Sequence, residues 1–474
     1  MKKFALFLIL LLLSTAPSFA GGGYIITSSG APSEWSTSSA ISVHPESGTC
    51  GSFTNAEMLT KISDNLSYWT DLGEVDFDFN IVVGALGSVD GDNYGDYLVG
   101  VTGSDNAQAL NDGYNPILFD NDGDIVAAVA GSTNRFRVLG FANPSGFSSN
   151  YTSIVDGQAV FNCRCLSGNP NGDCTVGAST ITFSEDELNF TMVHEIGHFM
   201  NLDHTQVNCT GSDSDNICDD GDTSNDDYIP TMYPVSENAA QQISPIQDDI
   251  SALAGIYPNA CFTSSHCLVT GALLDADGNQ LRCADVQAIP SDLSKSVAFV
   301  SGAYAPAEDS NGNGDTVDPG ECVSNCGDFQ LYLDPGVDYT IKVHPINSTF
   351  TGGSGISPCA NGQLTTINTE TIATVTAAQC TEGATITLGD LTTTSTGGVT
   401  PSGSESVDFL IASGSAGPLN ACTTSTGGTT MTTASSSSSS SGCSLSGALV
   451  NGQGFGAMLL IGLSLIGIVR KRFS

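Results

Sequence analysis

The sequence is poor in basic residues. Of its 474 residues only 12 are Lys or Arg, against 50 Asp and Glu, so the formal net charge is −38. A chain with this charge repels nucleic acid and anionic surfaces, which excludes both as expected partners. Proteins, peptides and cations remain, and we expect the protein to be a monomer.

Pairs of the form Cys-x-x-Cys are absent, which argues against zinc held by thiolates. There are 15 cysteines, and Cys443 belongs to a distinct tail described below. Six of the others precede residue 259 and eight follow it: Cys50, Cys163, Cys165, Cys174, Cys209 and Cys218, then Cys261, Cys267, Cys283, Cys322, Cys326, Cys359, Cys380 and Cys422. Even numbers in each part favour disulfides, and we expect local pairs of Cys209 with Cys218 and of Cys261 with Cys267.

The two ends of the sequence predict export. Residues 1–20 combine two lysines, an apolar run and small residues before a cleavage site after Ala20, which is typical of a signal peptide. Residues 422–442 are rich in Ser, Thr and Gly and predict a flexible spacer. Residues 443–474 join Cys443, an apolar stretch and a basic end, which resembles the C-terminal sorting signals of exported bacterial proteins; a permanent single-span anchor is the alternative. We therefore expect a bacterial protein that is secreted or on the cell surface, with membrane contact only through this tail.

Histidine is scarce, yet three of the six histidines lie between residues 194 and 204. On a helix, His194 and His198 share one face about 6 Å apart along the axis, so both can bind one ion. His204 can reach the same ion only if the helix ends in between, and Asn201 readily takes the left-handed conformation that ends helices. The spacing predicts three zinc ligands and a fourth position left for water.

Glu195 stands beside the first ligand and is not needed as one. It is therefore the candidate general base, taking a proton from the zinc-bound water and returning it to the leaving amine of a peptide bond. Ser184 and Glu187 form a capping-box pattern that predicts the start of the helix. The remaining histidines are isolated, and we expect structural or surface roles for them: His44, His266 and His344.

The motif resembles that of the metzincin metallopeptidases, His-Glu-x-x-His-x-x-Gly-x-x-His followed by a methionine turn. The turn is present as residues 231–234, and residues 244–258 are similar to the closing helix of the matrixin branch. Trp35 and Trp69 lie where bacterial matrixin-like domains often have tryptophans. The resemblance covers about residues 30–258, with Asn201 in place of the usual Gly. Tyr233 follows Met232 directly, too early to match the tyrosine ligand of other branches, so we do not assign it to the metal.

This resemblance implies a zinc metalloendopeptidase that hydrolyses extracellular proteins, with Zn²⁺ on His194, His198 and His204 and with Glu195 as catalytic residue. Met232 is then a structural residue beneath the ligands. The alternative is a non-catalytic surface adhesion or binding protein with a vestigial peptidase domain. Because the catalytic domain is expected to start soon after the signal peptide, we expect no folded inhibitory prodomain and no cysteine plug.

The expected fold of residues 21–258 is α/β (α+β), with a twisted mixed sheet and a zinc helix. Apolar patterns predict strands near residues 77–83 and 117–130, a helix near 56–68 and the zinc helix over about 184–201. Residues 259–345 predict an all-β sandwich with strands at 268–274, 286–288, 297–300, 329–333 and 339–343 and a turn at 275–278. This part resembles transthyretin-like or carboxypeptidase-regulatory-like domains. Residues 346–421 are a Thr- and Gly-rich β region that the sequence leaves unresolved.

Three acidic loops have the alternating oxygen ligands of calcium sites, and the first also has glycine at its sixth position. Their candidate Ca²⁺ ligands are Asp309, Asn311, Asn313, Asp315 and Asp318; Asp90, Asp92 and Asp96; and Asp120, Asp122 and Asp124. The alternative is that Asp, Asn and Gly simply form turns in these loops.

Overall fold

The computed structural model describes twelve segments of the chain, which are residues 22–27, 29–75, 77–99, 113–132, 134–170, 174–176, 179–205, 228–236, 238–305, 325–345, 367–395 and 410–412. The described residues up to 258, together with residues 410–412, form a first part, which is mixed α/β and has a largely parallel sheet. The described residues from 259 to 395 form a second part with separate sheets. No helix in these segments is long and apolar enough to cross a membrane. The predicted signal peptide, spacer and C-terminal tail lie outside the described residues.

The first sheet has eight strands in the order β3-β2-β4-β6-β5-β17-β9, with β1 also paired to β6. The strands β1 to β4 pair in parallel with their neighbours, whereas β5 runs antiparallel to β6. Their bounds are β1 Glu34–Trp35, β2 Ile41–Pro45, β3 Phe79–Ile81, β4 Pro116–Asp120, β5 Val138–Phe147, β6 Ser153–Asn162, β9 Val235–Ser236 and β17 Leu410–Ala412. A separate hairpin joins β7 Thr175–Val176 and β8 Ser179–Thr180.

The helices are α1 Asn55–Thr70, α2 Asp124–Ala130, α3 Glu185–Phe199, α4 Ala239–Gln242, α5 Gln247–Ile256 and α6 Ala260–Ser265. The capping box predicted from Ser184 and Glu187 is present at the start of α3, and an equivalent box of Thr54 and Glu57 starts α1. The predicted positions of α1 and α3 are confirmed to within two residues.

The strand predicted over residues 117–130 is wrong in its second half. Strand β4 ends at Asp120, and α2 begins at Asp124. The buried Asp120 carboxylate accepts the N–H of Val126, and Gly123 precedes the helix with a φ of 76°. The apolar run from Ile125 has no polar alternation, so its pattern alone could not distinguish a buried strand from a short helix.

Both tryptophans connect α3 to the rest of the first part through hydrogen bonds. Trp69, on α1, donates its indole N–H to the Val193 carbonyl at 2.8 Å, and Trp35, on β1, donates to the Phe199 carbonyl at 2.9 Å. The Trp35 ring also stacks on Phe199, with 5.1 Å between the centroids. Because each indole is buried and hydrogen-bonded, the two rings position the middle and the end of the helix that carries the histidine motif.

The second part contains a three-stranded sheet in the order β13-β10-β16 and a four-stranded sheet in the order β12-β11-β14-β15. Their buried side chains share one hydrophobic cluster. The bounds are β10 Cys267–Leu274, β11 Asp285–Ile289, β12 Val297–Val300, β13 Asp328–Leu333, β14 Tyr339–His344, β15 Glu370–Val375 and β16 Thr385–Thr392. The five predicted strands are therefore confirmed, and residues 367–395, which the sequence left unresolved, add one strand to each sheet.

Disulfides are present in both parts, as the cysteine counts predicted. Cys50 bonds to Cys163, Cys165 to Cys174, and Cys267 to Cys380. The predicted pair of Cys261 with Cys267 is wrong, because Cys267 at the start of β10 meets the turn between β15 and β16 and bonds there to Cys380. The predicted pair of Cys209 with Cys218 lies outside the described residues.

Candidate metal centre

The three motif histidines come together at the end of α3. His194 and His198 lie one helical turn apart, and the chain then reverses so that His204 faces both. The Nε2 atom of His198 is 3.1 Å from the Nε2 atoms of both His194 and His204, and the latter two are 3.3 Å apart. Among the described residues, these histidines are the only group of three or more potential ligands within reach of one ion.

Hydrogen bonds fix the tautomer of two of the rings. Nδ1 of His194 lies 2.6 Å from the Thr231 carbonyl oxygen, and Nδ1 of His198 lies 2.8 Å from that of Leu202. A carbonyl oxygen only accepts, so Nδ1 is the protonated nitrogen in both rings. Burial lowers the pKa of His194 well below its usual value and that of His198 to about 4, so both rings are neutral.

The cluster therefore has the donor set of a metal site. The Nε2 lone pairs of His194 and His198 face each other at 3.1 Å, an arrangement that a cation between them stabilises. Two nitrogens on one tetrahedral zinc, each about 2.0–2.1 Å from the metal, are about 3.3 Å apart. The three Nε2 separations match this spacing, so the residues present fit a metal ion.

Asn201 produces the chain reversal, as its residue type predicted. Its φ is 78°, in the left-handed region. The side chain has a second role that the sequence did not reveal: Oδ1 accepts the N–H of Ile25 at 2.7 Å, and Nδ2 donates to the carbonyls of Ile25 and Ser33 at 3.0 and 2.7 Å. Glycine would allow the turn but could not hold residues 25–33 against the end of α3.

Glu195 is completely buried and directly follows the first of the three histidines. Gly140 of β5 lies directly against it, because a Cβ added at Gly140 would be 3.1 Å from Glu195 Cγ and 2.8 Å from Thr191 Cγ2. A side chain at residue 140 would push β5 away from α3. Gly140 therefore lets strand β5 approach the candidate base closely.

The methionine turn lies beneath the histidines. Thr231 accepts the hydrogen bond from His194, and Met232 is buried against α3. A Cβ added at Gly197 would be only 2.2 Å from Met232 Sδ and 3.3 Å from Trp69 Cζ2. The absence of a side chain at Gly197 thus leaves the space into which Met232 packs.

Helix α5 holds the methionine turn through Asp249. Its carboxylate accepts three backbone N–H groups, from Thr231, Met232 and Ile246, each at 2.9 Å. Burial nevertheless raises the pKa of Asp249 to about 6. The sequence suggested a closing helix here but not this role, because a carboxylate in the first turn of a helix ordinarily caps its own helix.

The neighbouring Asp248 connects the two parts of the chain. It accepts the Ala298 N–H of β12 at 2.7 Å and hydrogen-bonds the hydroxyl of Thr205, which follows the third histidine. Burial, and then the charge of Asp249, raise the pKa of Asp248 to about 8. Two adjacent aspartates thus support the site, Asp249 through the methionine turn and Asp248 through the segment of His204.

The predicted calcium ligands are not gathered around a common point in the described residues. Asp90, Asp92 and Asp96 are exposed, and Asp90 accepts the N–H of Asp92 in a turn. Asp122 likewise accepts the N–H of Asp124, which pairs with an arginine, while Asp120 caps α2. The loop of Asp309, Asn311, Asn313, Asp315 and Asp318 lies outside the described residues. Calcium binding stays a prediction.

The other histidines lie elsewhere and make local contacts. His44 accepts the N–H of Asn115 at 2.9 Å, His266 lies 3.4 Å from a carboxylate oxygen of Asp334, and His344 is 3.3 Å from the hydroxyl of Thr369. Burial lowers the pKa of His344 to about 4. None of the three belongs to a potential metal group in the described part of the chain.

No model of a known protein family matches the chain, and no curated protein is significantly similar to it in sequence.

Proposed function

We propose that the protein is a zinc-dependent endopeptidase of the metzincin type, similar to matrixins, which hydrolyses peptide bonds of extracellular proteins. One observation supports this most strongly: three imidazole nitrogens converge within 3.3 Å, and a fully buried glutamate stands next to the first of them on the same helix. A carboxylate beside a metal-bound water can serve as its general base.

His194, His198 and His204 would hold the metal. Three imidazoles without thiolates suit zinc, although copper, iron and nickel also accept such ligands. A zinc ion bound there would lower the pKa of a coordinated water to about 7 and polarise the scissile carbonyl.

Glu195 would take the proton of the attacking water and deliver it to the leaving amine. Its burial against Gly140 keeps the carboxylate beside β5. The carbonyls of Thr231 and Leu202 hold two of the imidazoles in the tautomer that turns Nε2 toward the cluster. Asp249, through the methionine turn, holds the Thr231 carbonyl in place.

The architecture is compatible with this assignment. Strand β5, which runs antiparallel to β6 next to a series of mostly parallel strands, packs on the helix of the histidines, as expected of a metzincin domain. The two sheets of the second part fit a transthyretin-like sandwich that supports the catalytic part through Asp248. Disulfides in both parts agree with export to an oxidising environment.

The test is casein cleavage by the purified chain after its zinc content has been measured. We expect one zinc per chain, cleavage that a chelator abolishes and zinc restores, and a loss of about 10²–10⁴-fold in Glu195→Gln, the range of general-base contributions. Glu195→Gln should keep its zinc, whereas His204→Ala should lose it. Intact casein in the presence of one zinc per chain, with no difference between wild type and Glu195→Gln, would support the vestigial binding protein instead.

A further inference from the structure

A short segment from late in the sequence lies in the sheet beside the candidate metal centre. Strand β17, Leu410–Ala412, runs antiparallel to β5, with Leu410 opposite Gly140 and Ile411 opposite Val138. On its other side it runs parallel to β9, with Ile411 opposite Val235 and Ala412 opposite Ser236. The segment therefore completes a sheet between two strands that are far apart in sequence.

Both neighbours of β17 belong to the walls of the candidate site. Gly140 is the residue that lies against Glu195, and Leu410 pairs with it directly. Strand β9 follows the methionine turn, whose Thr231 carbonyl is hydrogen-bonded to His194. The backbone of β17 also comes within 8 Å of that of α3, measured between Cα atoms. An extended piece of this chain thus passes along the candidate catalytic centre.

A sheet edge of this kind binds any extended peptide through backbone hydrogen bonds, with little dependence on sequence. Only one chain can pair with the edge of β5 at a time. Leu410–Ala412 therefore excludes a peptide from the register opposite Gly140 whenever it is in place. Because it is part of the same chain, it competes at an effective concentration in the millimolar range.

We propose that Leu410–Ala412 is an intramolecular occupant of the substrate cleft and that it keeps the full chain latent until it leaves the edge of β5. This inference rests on the proposed function, since it identifies the occupied edge as the place where a peptide substrate lies. Latency of this kind needs neither a prodomain nor a cysteine plug.

The test measures binding separately from hydrolysis. The probe is a fluorescein-labelled peptide with the sequence of residues 406–415, Ser-Val-Asp-Phe-Leu-Ile-Ala-Ser-Gly-Ser, and its affinity for the full zinc-loaded chain is measured by fluorescence polarisation. All samples carry Glu195→Gln, so that the peptide is bound and not cut. Ile411→Pro removes the strand's central N–H and disfavours pairing, whereas Ile411→Val keeps the backbone unchanged and is the matched control.

We expect the Ile411→Pro chain to bind the peptide at least tenfold more tightly than the Ile411→Val chain, which corresponds to an edge occupied about nine-tenths of the time in the control. Ala412→Pro should have the same effect and replaces Ile411→Pro if that chain does not fold. With Glu195 restored, the proline variants should cleave casein correspondingly faster at low substrate concentration.

Equal peptide affinity in the proline and valine chains would overturn the proposal. Failure of the proposed function gives a different result: the proline chains would still bind the peptide more tightly, but with Glu195 restored and one zinc bound they would leave casein intact. Tighter peptide binding without cleavage would therefore refute the peptidase function but support Leu410–Ala412 as the occupant of the β5 edge. Cleavage at equal rates by the proline and valine chains would support the peptidase function and refute the occupant.

Discussion

Gly197→Ala tests whether the methionine turn packs on the histidine helix as described. In the interior of a helix, alanine is normally favoured over glycine by about 1 kcal/mol. Here the added Cβ would lie 2.2 Å from Met232 Sδ, and ordinary carbon contacts begin near about 3.5 Å, so the sulfur must move by about 1.3 Å. Met232 is 1% exposed, and the indole of Trp69 closes the other side, so this movement strains the core. Overpacking of this kind costs about 1–3 kcal/mol or more, and we expect Gly197→Ala to be destabilising overall.

Urea unfolding of the zinc-free protein measures the effect without the contribution of metal binding. A double-mutant cycle with Met232→Ala supplies the control, because removing the sulfur makes room for the new methyl group. We expect a coupling free energy of at least about 1 kcal/mol between the two substitutions. If Gly197→Ala were as stable as the wild type or more stable, or if the two effects were additive, the described packing would be refuted.

Three further predictions concern the groups that support the site. Asp249→Asn places an amide donor against the N–H groups of the methionine turn; we expect a loss of about 2–5 kcal/mol by urea unfolding and reduced zinc retention, and wild-type stability would contradict the described role. Asn201→Gly keeps the left-handed turn but removes three side-chain hydrogen bonds, so the free energy of unfolding in urea should fall by about 2–4 kcal/mol. An unchanged urea midpoint would show that Asn201 does not hold residues 25–33 against the end of α3. The pKa of Asp248 is raised to about 8, so the folded chain holds a proton that the unfolded chain releases near pH 4, and this group's contribution to stability falls as the pH rises between about 4 and 8. The Tm of Asp248→Asn, measured by calorimetry, should therefore fall less than that of the wild type between about pH 5 and about pH 8. An identical fall in the wild type and the variant would show that Asp248 is ionised in the folded protein.

The sequence predicted those features that depend on local chemistry. The ends of α3 followed from Ser184, Glu187 and Asn201, whose capping and left-handed preferences act within a few residues. The convergence of the three histidines followed from helical geometry and the required break. Five of the seven described strands of the second part were also predicted, because short apolar segments recur there between turn residues at the spacing of a sandwich.

Features that depend on distant contacts could not be predicted. The disulfide partner of Cys267 is 113 residues away in the sequence. The sequence alone favours Cys261 as that partner, because it is much nearer along the chain. In the sequence, Asp249 resembles any acidic residue in the first turn of a helix. Its hydrogen bonds to the methionine turn depend on a segment that precedes it by 17 to 18 residues. The segment Leu410–Ala412 lies in a Thr- and Gly-rich region with no recognisable pattern, and only the sheet shows that it borders the candidate site.

Cleavage of a peptide library by the zinc-loaded chain, followed by mass spectrometry, tests the central claim most directly. A peptidase that uses Glu195 as its base should cut internal peptide bonds throughout the library, and Glu195→Gln with the same zinc content should leave the peptides whole. Peptides that stay intact with both proteins, each holding one zinc, would show that the centre binds metal without hydrolysing peptide bonds.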